Sequence, residues 1–167
     1  METHWVYTQL YHKTTGIRVS LFNIYVLLLF LEKKQCWESI ANLANDICLE
    51  NTISVRDLNL TLSSKVKRGG SRVRDLRREW VEYLIQDWDL IDIQPTKGQF
   101  TWTNRRTGLG HIASRLDRFL VKSSYLLLVM EASSNIPTLG ISDHHPINLE
   151  LKEHPNLRPI PFCFSPI

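Results

Sequence analysis

The segment Ile141-Ser142-Asp143-His144-His145-Pro146-Ile147 places an acidic residue beside a histidine near the end of this 167-residue chain. Its Ser and Pro are typical of a loop, and the alternating residues 147–151 that follow predict a strand. An imidazole can take a proton from water, and a neighbouring carboxylate can fix its tautomer or hold a metal ion. The segment therefore predicts a chemically active site at the mouth of a strand, although Asp-His pairs also occur in loops by chance.

Two earlier segments also carry acidic residues where strands are predicted. Arg115-Leu116-Asp117-Arg118-Phe119-Leu120-Val121 alternates in a strand-like way, yet Asp117 lies among apolar residues. A carboxylate disfavours such a strand unless a specific partner satisfies it. Asp57 and Asn59 follow the predicted strand Thr52–Val55, and residues two apart on an extended segment face the same way. We therefore expect Asp57 and Asn59 to point at one ligand.

Taken in chain order, the segments around Asp57, Asp117 and His144 resemble the motifs of the endonuclease/exonuclease/phosphatase superfamily, which has the DNase I-like fold. Phe100-Thr101-Trp102 is similar to the F-T-W motif of the endonucleases of plant LINE-type retrotransposons, and Ser20 to Val26 is similar to their N-x-Y strand. The resemblance implies an α/β (α+β) fold. More specifically, it implies a partial four-layer α/β sandwich of the DNase I-like type whose N-terminal strands are missing.

The resemblance also implies how the chain is divided. A truncated endonuclease-like domain is expected over residues 1–152, and a Pro-rich C-terminal tail over residues 153–167. Residues 159–164 of that tail are similar to the junction that leads from such an endonuclease toward a reverse transcriptase. The reverse transcriptase portion itself is absent from this chain.

The catalytic residues implied by the resemblance belong to Mg²⁺-dependent hydrolysis of a phosphodiester bond in DNA, with Mn²⁺ as an alternative ion. His144 is the expected general base, and Asp117 is expected to bind its other ring nitrogen and fix its tautomer. Asp57 is expected to align the attacking water. Asn59 and Tyr25 are expected to donate hydrogen bonds to the phosphate, although Asn also suits a turn and Tyr in an apolar run also suits a core.

Further residues are expected to bind the metal ion and the DNA. Asp143 is expected close to the metal, because Mg²⁺ prefers carboxylate oxygen and retained water. Trp102 is expected to stack on a base or to pack in the core. Arg105, Arg106 and Arg115 are expected, with Asn59, to bind the substrate through its backbone.

Three departures from the family pattern predict weak or absent activity. The Glu that serves as the family's principal Mg²⁺ ligand has no counterpart in the matched portion. Arg56 stands where the family has Gly, and we expect its cation to lie beside Asp57 and compete with a metal ion. Leu27 stands where the family has Pro. Two alternatives therefore stay open: a non-catalytic remnant that binds nucleic acid or protein, and a phosphatase or phosphodiesterase of the same fold. Low solubility is expected if strands are missing.

The composition of the chain is compatible with each of these candidate functions and does not favour one of them. Hydrophobic residues make up 43% and charged residues 22% of the chain, and the formal charge of +3 permits a nucleic-acid partner. The basic residues between Lys65 and Arg78 suit DNA or a solvated surface equally well. Three cysteines without a C-x-x-C pair indicate a reducing compartment, the nucleus or the cytoplasm. The apolar run from Leu21 to Leu31 is shorter than the roughly 20 residues that span a bilayer, so no membrane association is expected.

Hydrophobic periodicity predicts the order of the elements. The sequence predicts a hairpin of Trp5–Tyr11 with Ile17–Val26, helices over Glu32–Cys48 and Leu76–Trp88, strands over Gln99–Asn104 and Arg115–Val121 around a polar turn, a short helix within Ser123–Met130 and an extended Glu131–Ile136.

Overall fold

Three β-sheets organise the protein in a computed structural model, which describes residues 5–13, 16–25, 42, 51–70, 78–137 and 142–153. The strands are β1 (Trp5–Tyr11), β2 (Arg18–Tyr25), β3 (Thr52–Asp57), β4 (Lys67–Arg68), β5 (Leu90–Asp92), β6 (Pro95–Lys97), β7 (Trp102–Thr103), β8 (Ala113–Ser114), β9 (Asp117–Lys122), β10 (Val129–Asn135) and β11 (Asn148–Glu153). The described helices are α1 (Arg78–Asp87) and α2 (Ser123–Leu126), and single 3-10 turns span Ser64–Val66 and Gly108–Gly110.

The largest sheet has five strands in the order β1-β2-β3-β9-β5. Strands β2 and β3 are parallel, and every other pair in this sheet is antiparallel. The register sets the backbones of Tyr25, Asp57 and Asp117 side by side at one end of the sheet. Because side chains alternate between the two faces of a strand, Asp57 lies on the same face as Ile53, and Asp117 on the same face as Val121.

A three-stranded sheet of order β11-β10-β6 packs on that face. Leu149 and Leu151 of β11, and Ile147 just before it, contact the buried cluster that includes Ile53 and Val121. Burial of each such aliphatic side chain contributes roughly 1.5–3 kcal/mol, so this contact between sheets is the main apolar core. The two acidic residues therefore stand at the rim of a sandwich rather than on an open surface.

The opposite face of the five-stranded sheet is covered by a helix and by aromatic side chains. Val81 of α1 packs with Leu58, Leu60 and Leu62, which follow β3. Trp88 contacts both this cluster and the Phe22 and Ile24 pair of β2. The result is a helix layer, a central sheet and a second sheet, which confirms the expected α/β fold.

A third sheet, of order β4-β8-β7, lies beside the end of the sandwich that carries the acidic residues. Each of its strands has two residues. Its position depends on Gly69, whose φ of +72 is in the left-handed region, and an added Cβ there would lie 2.1 Å from the carbonyl oxygen of His111. A side chain at position 69 would therefore separate β4 from the segment that leads into β8.

Several predicted elements are confirmed, and others differ for identifiable reasons. The hairpin of β1 and β2 and the helix α1 are present, and β3 continues two residues past Val55 to Asp57. The two strands predicted around the polar turn, over Gln99–Asn104 and Arg115–Val121, correspond to β7 and β9, which do not pair with each other: β7 pairs with β8, and β9 pairs with β3 and β5. The predicted helix over Glu32–Cys48 and the tail after Glu153 fall outside the described ranges.

Within the described ranges, no helix has the length and apolar character needed to cross a membrane.

Candidate active site

His144 and Asp117 form a hydrogen-bonded pair at the rim of the sandwich. The His144 Nδ1 atom lies 3.0 Å from Asp117 Oδ2, and the two side chains are 35% and 19% exposed. A carboxylate can only accept a hydrogen bond, so Nδ1–H of the imidazole is the donor. In the neutral ring, Nε2 is then left with a lone pair that can accept a proton. The structure therefore confirms the expected contact between these two residues.

Asp57 approaches the same point from the neighbouring strand. One ligand atom from each of Asp57, Asp117 and His144 lies within 4.8 Å of the others. The side chain of Asp57 also accepts a hydrogen bond of 2.9 Å from the backbone N–H of Asn59, which has a left-handed φ of 44. Asn adopts that conformation more readily than most residues because its short polar side chain can bond locally.

The turn at Asn59 corrects one expectation. Asp57 and Asn59 were expected to face the same way along an extended segment, but β3 ends at Asp57 and the chain turns at Asn59. Their proximity comes from the hydrogen bond across the turn and not from strand alternation. The backbone of Tyr25 pairs with that of Asp57, and the phosphate-binding role expected of Tyr25 stays a prediction.

Strand β7 holds the loop that carries His144. The backbone N–H of Thr103 donates to the Asp143 carbonyl at 3.0 Å, and the backbone N–H of His145 donates to the Thr101 carbonyl at 2.7 Å. The Trp102 indole Nε1–H donates to Asp143 Oδ2 at 3.2 Å. Three contacts therefore fix the loop on both sides of His144.

The Asp143 carboxylate is exposed, and its pKa is lowered. The hydrogen bond from the Trp102 indole lowers the pKa of Asp143 below its ordinary value of 3.8, with smaller contributions from its own backbone N–H, His144 and Ser142. Trp102 was expected either to pack in the core or to stack on a base. It is half-buried and its indole N–H donates to a carboxylate, so neither expectation is met in full. Among the described residues, the cluster that could hold a metal ion does not include Asp143.

Arg115 lies in the interior and not on a DNA-facing surface. Its side chain is 3% exposed, donates to Asp92 through Nη2 and to Gln94 Oε1 through Nη1 at 2.9 Å. Arg118, which is 2% exposed, donates to the same oxygen of Asp92. Burial lowers the pKa of both arginines, and the charge of Asp92 partly offsets this. A guanidinium held inside by a carboxylate has a structural role, so Arg115 does not fit the predicted substrate-binding set.

Arg105 and Arg106 are exposed on the loop between β7 and β8. The Asn104 side chain braces this loop: its oxygen accepts from the backbone N–H groups of Arg106 and Ile112, and its amide nitrogen donates to the Gly110 carbonyl at 2.8 Å. The two arginines therefore extend from an ordered loop next to Trp102. Their location is compatible with the predicted contact to a DNA backbone.

Arg56 also departs from expectation. Alternation along β3 places its side chain on the face opposite Asp57, where it is 2% exposed. Its Nε donates to Ser54 Oγ at 2.6 Å, and its guanidinium lies 5.9 Å from the Trp88 ring centre. The expected competition of Arg56 with a metal ion at Asp57 is therefore wrong.

The group formed by Asp57, Asp117 and His144 is chemically suited to a divalent cation. Two carboxylates offer the hard oxygen ligands that Mg²⁺ and Mn²⁺ prefer, whereas an imidazole suits transition metals better. His144 already donates to Asp117 through Nδ1, and the carboxylate of Asp57 lies within 4.8 Å of both. The donor set fits a cation that keeps several of its water ligands.

The helix layer and the packed sheets form the DNase I-like fold. Solved structures show the same fold. The endonuclease domain of TRAS1, a telomere-specific non-LTR retrotransposon, superposes with a TM-score of 0.68 at 18% identity, over 89% of this chain and 63% of that chain. The AP endonuclease LMAP from Leishmania major gives 0.61 at 20% identity, over 91% of this chain and 55% of that chain.

A third similar structure is the 3′ phosphatase NExo from Neisseria bound to a product DNA hairpin, with a TM-score of 0.59 at 17% identity. It is matched over 80% of this chain and 61% of that chain. The chain thus spans between 55% and 63% of the length of these three solved structures. No protein-family model and no curated protein matches the sequence. The similarity establishes the fold, and the reaction has to be argued from the site.

Proposed function

We propose that this protein hydrolyses phosphodiester bonds in DNA as an endonuclease of retrotransposon origin, assisted by Mg²⁺ or Mn²⁺. The observation that carries the proposal is the convergence of Asp57, Asp117 and His144 within 4.8 Å, from three separate segments of the chain. The similar fold of the TRAS1 endonuclease domain supports the retrotransposon origin. A relation to plant LINE-type elements in particular is part of the proposal and rests on the F-T-W motif.

The proposal assigns a role to each residue of the site. His144 accepts a proton from the attacking water at Nε2, while Asp117 holds Nδ1–H and stabilises the charged ring that results. Asp57 orients the water through its carboxylate. Asn59 and Tyr25 bind the phosphate oxygens. A bound divalent cation would supply positive charge to the phosphate and to the leaving oxygen, with Asp57 as its principal holder and Asp143 nearby.

Weak binding of the cation is also part of the proposal. Asp117 is shared with His144, and Asp143 accepts from Trp102, so both carboxylates have part of their ligand capacity occupied. Mg²⁺ needs near-octahedral oxygen ligands and loses its water reluctantly. Activity is therefore expected to need a high concentration of the metal ion.

A phosphatase is the second candidate. Two similar structures carry that activity in their names: the Neisseria 3′ phosphatase, and a mannosyl-6-phosphatase from Bacteroides thetaiotaomicron with a TM-score of 0.53 and 16% identity. Attack on a phosphate monoester needs the same base, orienting carboxylate and cation, so the site alone accommodates both substrates. The exposed Arg105 and Arg106 favour the longer, polyanionic substrate.

Nicking of supercoiled plasmid over a range of Mg²⁺ and Mn²⁺ concentrations tests the proposal. His144→Ala and Asp57→Ala are each expected to lower the rate by about 10²–10⁴, the usual contribution of a positioned acid or base. Matched controls are His12→Ala, in the turn between β1 and β2 at the other end of the sheet, and Asp87→Ala, at the exposed end of α1.

Three outcomes separate the candidate functions. Nicking that survives both site substitutions refutes the assigned roles. Hydrolysis of p-nitrophenyl phosphate without nicking favours the phosphatase. Retention of DNA in a binding assay with no hydrolysis of either substrate favours a non-catalytic, nucleic-acid-binding protein.

A further inference from the structure

Thr101 lies where the two segments that carry Asp117 and His144 meet, and none of its surface is exposed. Its Oγ1 accepts hydrogen bonds from the backbone N–H of Leu116 at 2.9 Å and from that of Asp117 at 3.0 Å. Its carbonyl accepts from the backbone N–H of His145 at 2.7 Å. One residue therefore binds the backbone of Asp117 through its side chain and the neighbour of His144 through its main chain.

The contact between Asp117 and His144 depends on such a connection. The two residues are 27 positions apart and belong to different elements, so no local turn fixes their relative position. Asp117 is the first residue of β9 and Leu116 precedes the strand, and the backbone N–H of each donates to a side chain. Buried N–H groups need acceptors, and here both of them use Thr101 Oγ1.

Thr101 is itself held firmly. Its backbone N–H donates to the Ser114 carbonyl at 3.0 Å, which continues the pairing of β7 with β8. A β-branched side chain has few accessible χ1 rotamers, so a fixed backbone also fixes the direction of Oγ1. The segments that carry Asp117 and His144 are therefore both hydrogen-bonded to one residue whose conformation is fixed.

We propose that Thr101 is a positioning residue for the His144–Asp117 pair. It sets the distance and angle between Nδ1 of the imidazole and the carboxylate, and it makes no contact with substrate. The expected effect of Thr101 on the reaction rate rests on the proposed hydrolytic function. Its expected effect on the geometry of the His144–Asp117 pair does not depend on any reaction.

Thr101→Val and Thr101→Ser test the proposal in the full chain. Val keeps the shape but removes the acceptor, and it is expected to lower kcat by roughly 10- to 100-fold with KM unchanged, because small misplacements of reacting groups cost that much. Ser keeps the acceptor and is expected to retain most of kcat. Thr52→Val, at a buried position of β3 at the far end of the sheet, is the matched control for loss of a buried hydroxyl.

A spectroscopic measurement in metal-free buffer tests the geometry without any reaction. The Nδ1–H proton of His144, assigned with the His144→Ala variant, is expected at low field in the wild type and in Thr101→Ser. It is expected to shift upfield or broaden in Thr101→Val, while Thr52→Val leaves it in place. An unchanged resonance in a folded Thr101→Val variant overturns the proposal, whether or not the wild type nicks DNA.

Hydrogen exchange of the wild type provides a test if Thr101→Val does not fold. The amides of Leu116, Asp117 and His145 are expected to be protected and to exchange at rates that correspond to one common opening, because all three bond to Thr101. Exchange of the His145 amide at the rate of an unprotected loop overturns the proposal. Failure of the wild type to nick DNA with this protection intact instead counts against the proposed function alone.

Discussion

Asp117 and Asp92 are carboxylates of nearly equal exposure, at 19% and 18%, yet they have opposite surroundings. Asp117 pairs with His144, a partner that is 35% exposed and can exchange protons with solvent. Asp92 pairs with Arg115 and Arg118, which are 3% and 2% exposed and stay charged. The exposed fraction of a carboxylate therefore does not show whether it belongs to a candidate active site or to a structural ion pair, whereas the identity of its partner does.

The difference between these two pairs originates within four residues. Because side chains alternate along β9, Asp117 and Arg118 lie on opposite faces of the sheet. Asp92 of the adjacent strand pairs with Leu120, which is on the same face as Arg118. Two buried cations share one anion, so Asp92 is required by charge compensation. The segment from Arg115 to Arg118 thus supplies the carboxylate that pairs with His144 and the buried arginines that pair with Asp92.

Substitution of the two carboxylates by Ala is the strongest test of this contrast. Asp92→Ala leaves two buried guanidinium groups without an anion and is expected to lower the free energy of unfolding by about 3–5 kcal/mol. This corresponds to a decrease in Tm of roughly 10 °C at about 3 °C per kcal/mol. Asp117→Ala removes a partly exposed pair and is expected to cost about 1 kcal/mol or less.

Urea denaturation of both variants measures these values at pH 7. Equal destabilisation by the two substitutions would contradict the distinction between a structural and a chemical carboxylate. Loss of nicking activity without loss of stability in Asp117→Ala would support it.

Much of the site was predictable from the sequence. The resemblance of their segments to the ordered motifs of the family predicted that Asp57, Asp117 and His144 converge, and one ligand atom of each lies within 4.8 Å of the others. The placement of Arg56 on the opposite face was also within reach, because period-two alternation applied to Asp57 fixes the side of its neighbour. The family pattern indicated only which residue type to compare at position 56, and it did not indicate the direction of the Arg56 side chain.

Other features depend on contacts that no local pattern encodes. Arg115 was assigned to DNA because a basic residue beside an acidic motif suits a polyanion, but its direction is decided by Asp92 and Gln94, more than 20 positions earlier. The turn at Asn59 depends on a hydrogen bond to Asp57 that competes with strand extension. Thr101 belongs to the F-T-W motif, but its hydrogen bonds to the backbone of Leu116, Asp117 and His145, on two separate segments, cannot be read from that motif.

The contrast between structural and functional charged residues can also be tested with arginines, of which some are buried and some exposed. Arg105→Ala combined with Arg106→Ala is expected to weaken DNA binding at every sequence and to reduce the slope of log affinity against log salt by about 1 for each arginine. Stability should be unchanged, because both side chains are exposed. Arg18→Ala, an exposed arginine at the far end of the sheet, is the matched control and should leave the slope intact. An unaltered slope in the double variant would remove the loop from the DNA-binding surface.

The smallest expected effect concerns the contact between Trp102 and Asp143, and it depends on pH. Because the folded pKa of Asp143 is lowered, mainly by the indole hydrogen bond, the charged carboxylate contributes stability above its unfolded pKa, and this contribution is lost as the pH falls through the folded pKa. The loop should therefore keep this contact down to a pH below 3.8. The Trp102 indole N–H resonance, followed by NMR in metal-free buffer, should titrate with a midpoint below that value.

Asp143→Asn is the control for that titration, since an amide keeps an acceptor oxygen but has no charge to lose. The indole resonance should then be flat over the same range of pH. A midpoint at or above 3.8 in the wild type would show that Trp102 does not stabilise the carboxylate. The backbone bonds from β7 to the loop would in that case hold His144 without help from Asp143, and the carboxylate would be free to serve a cation.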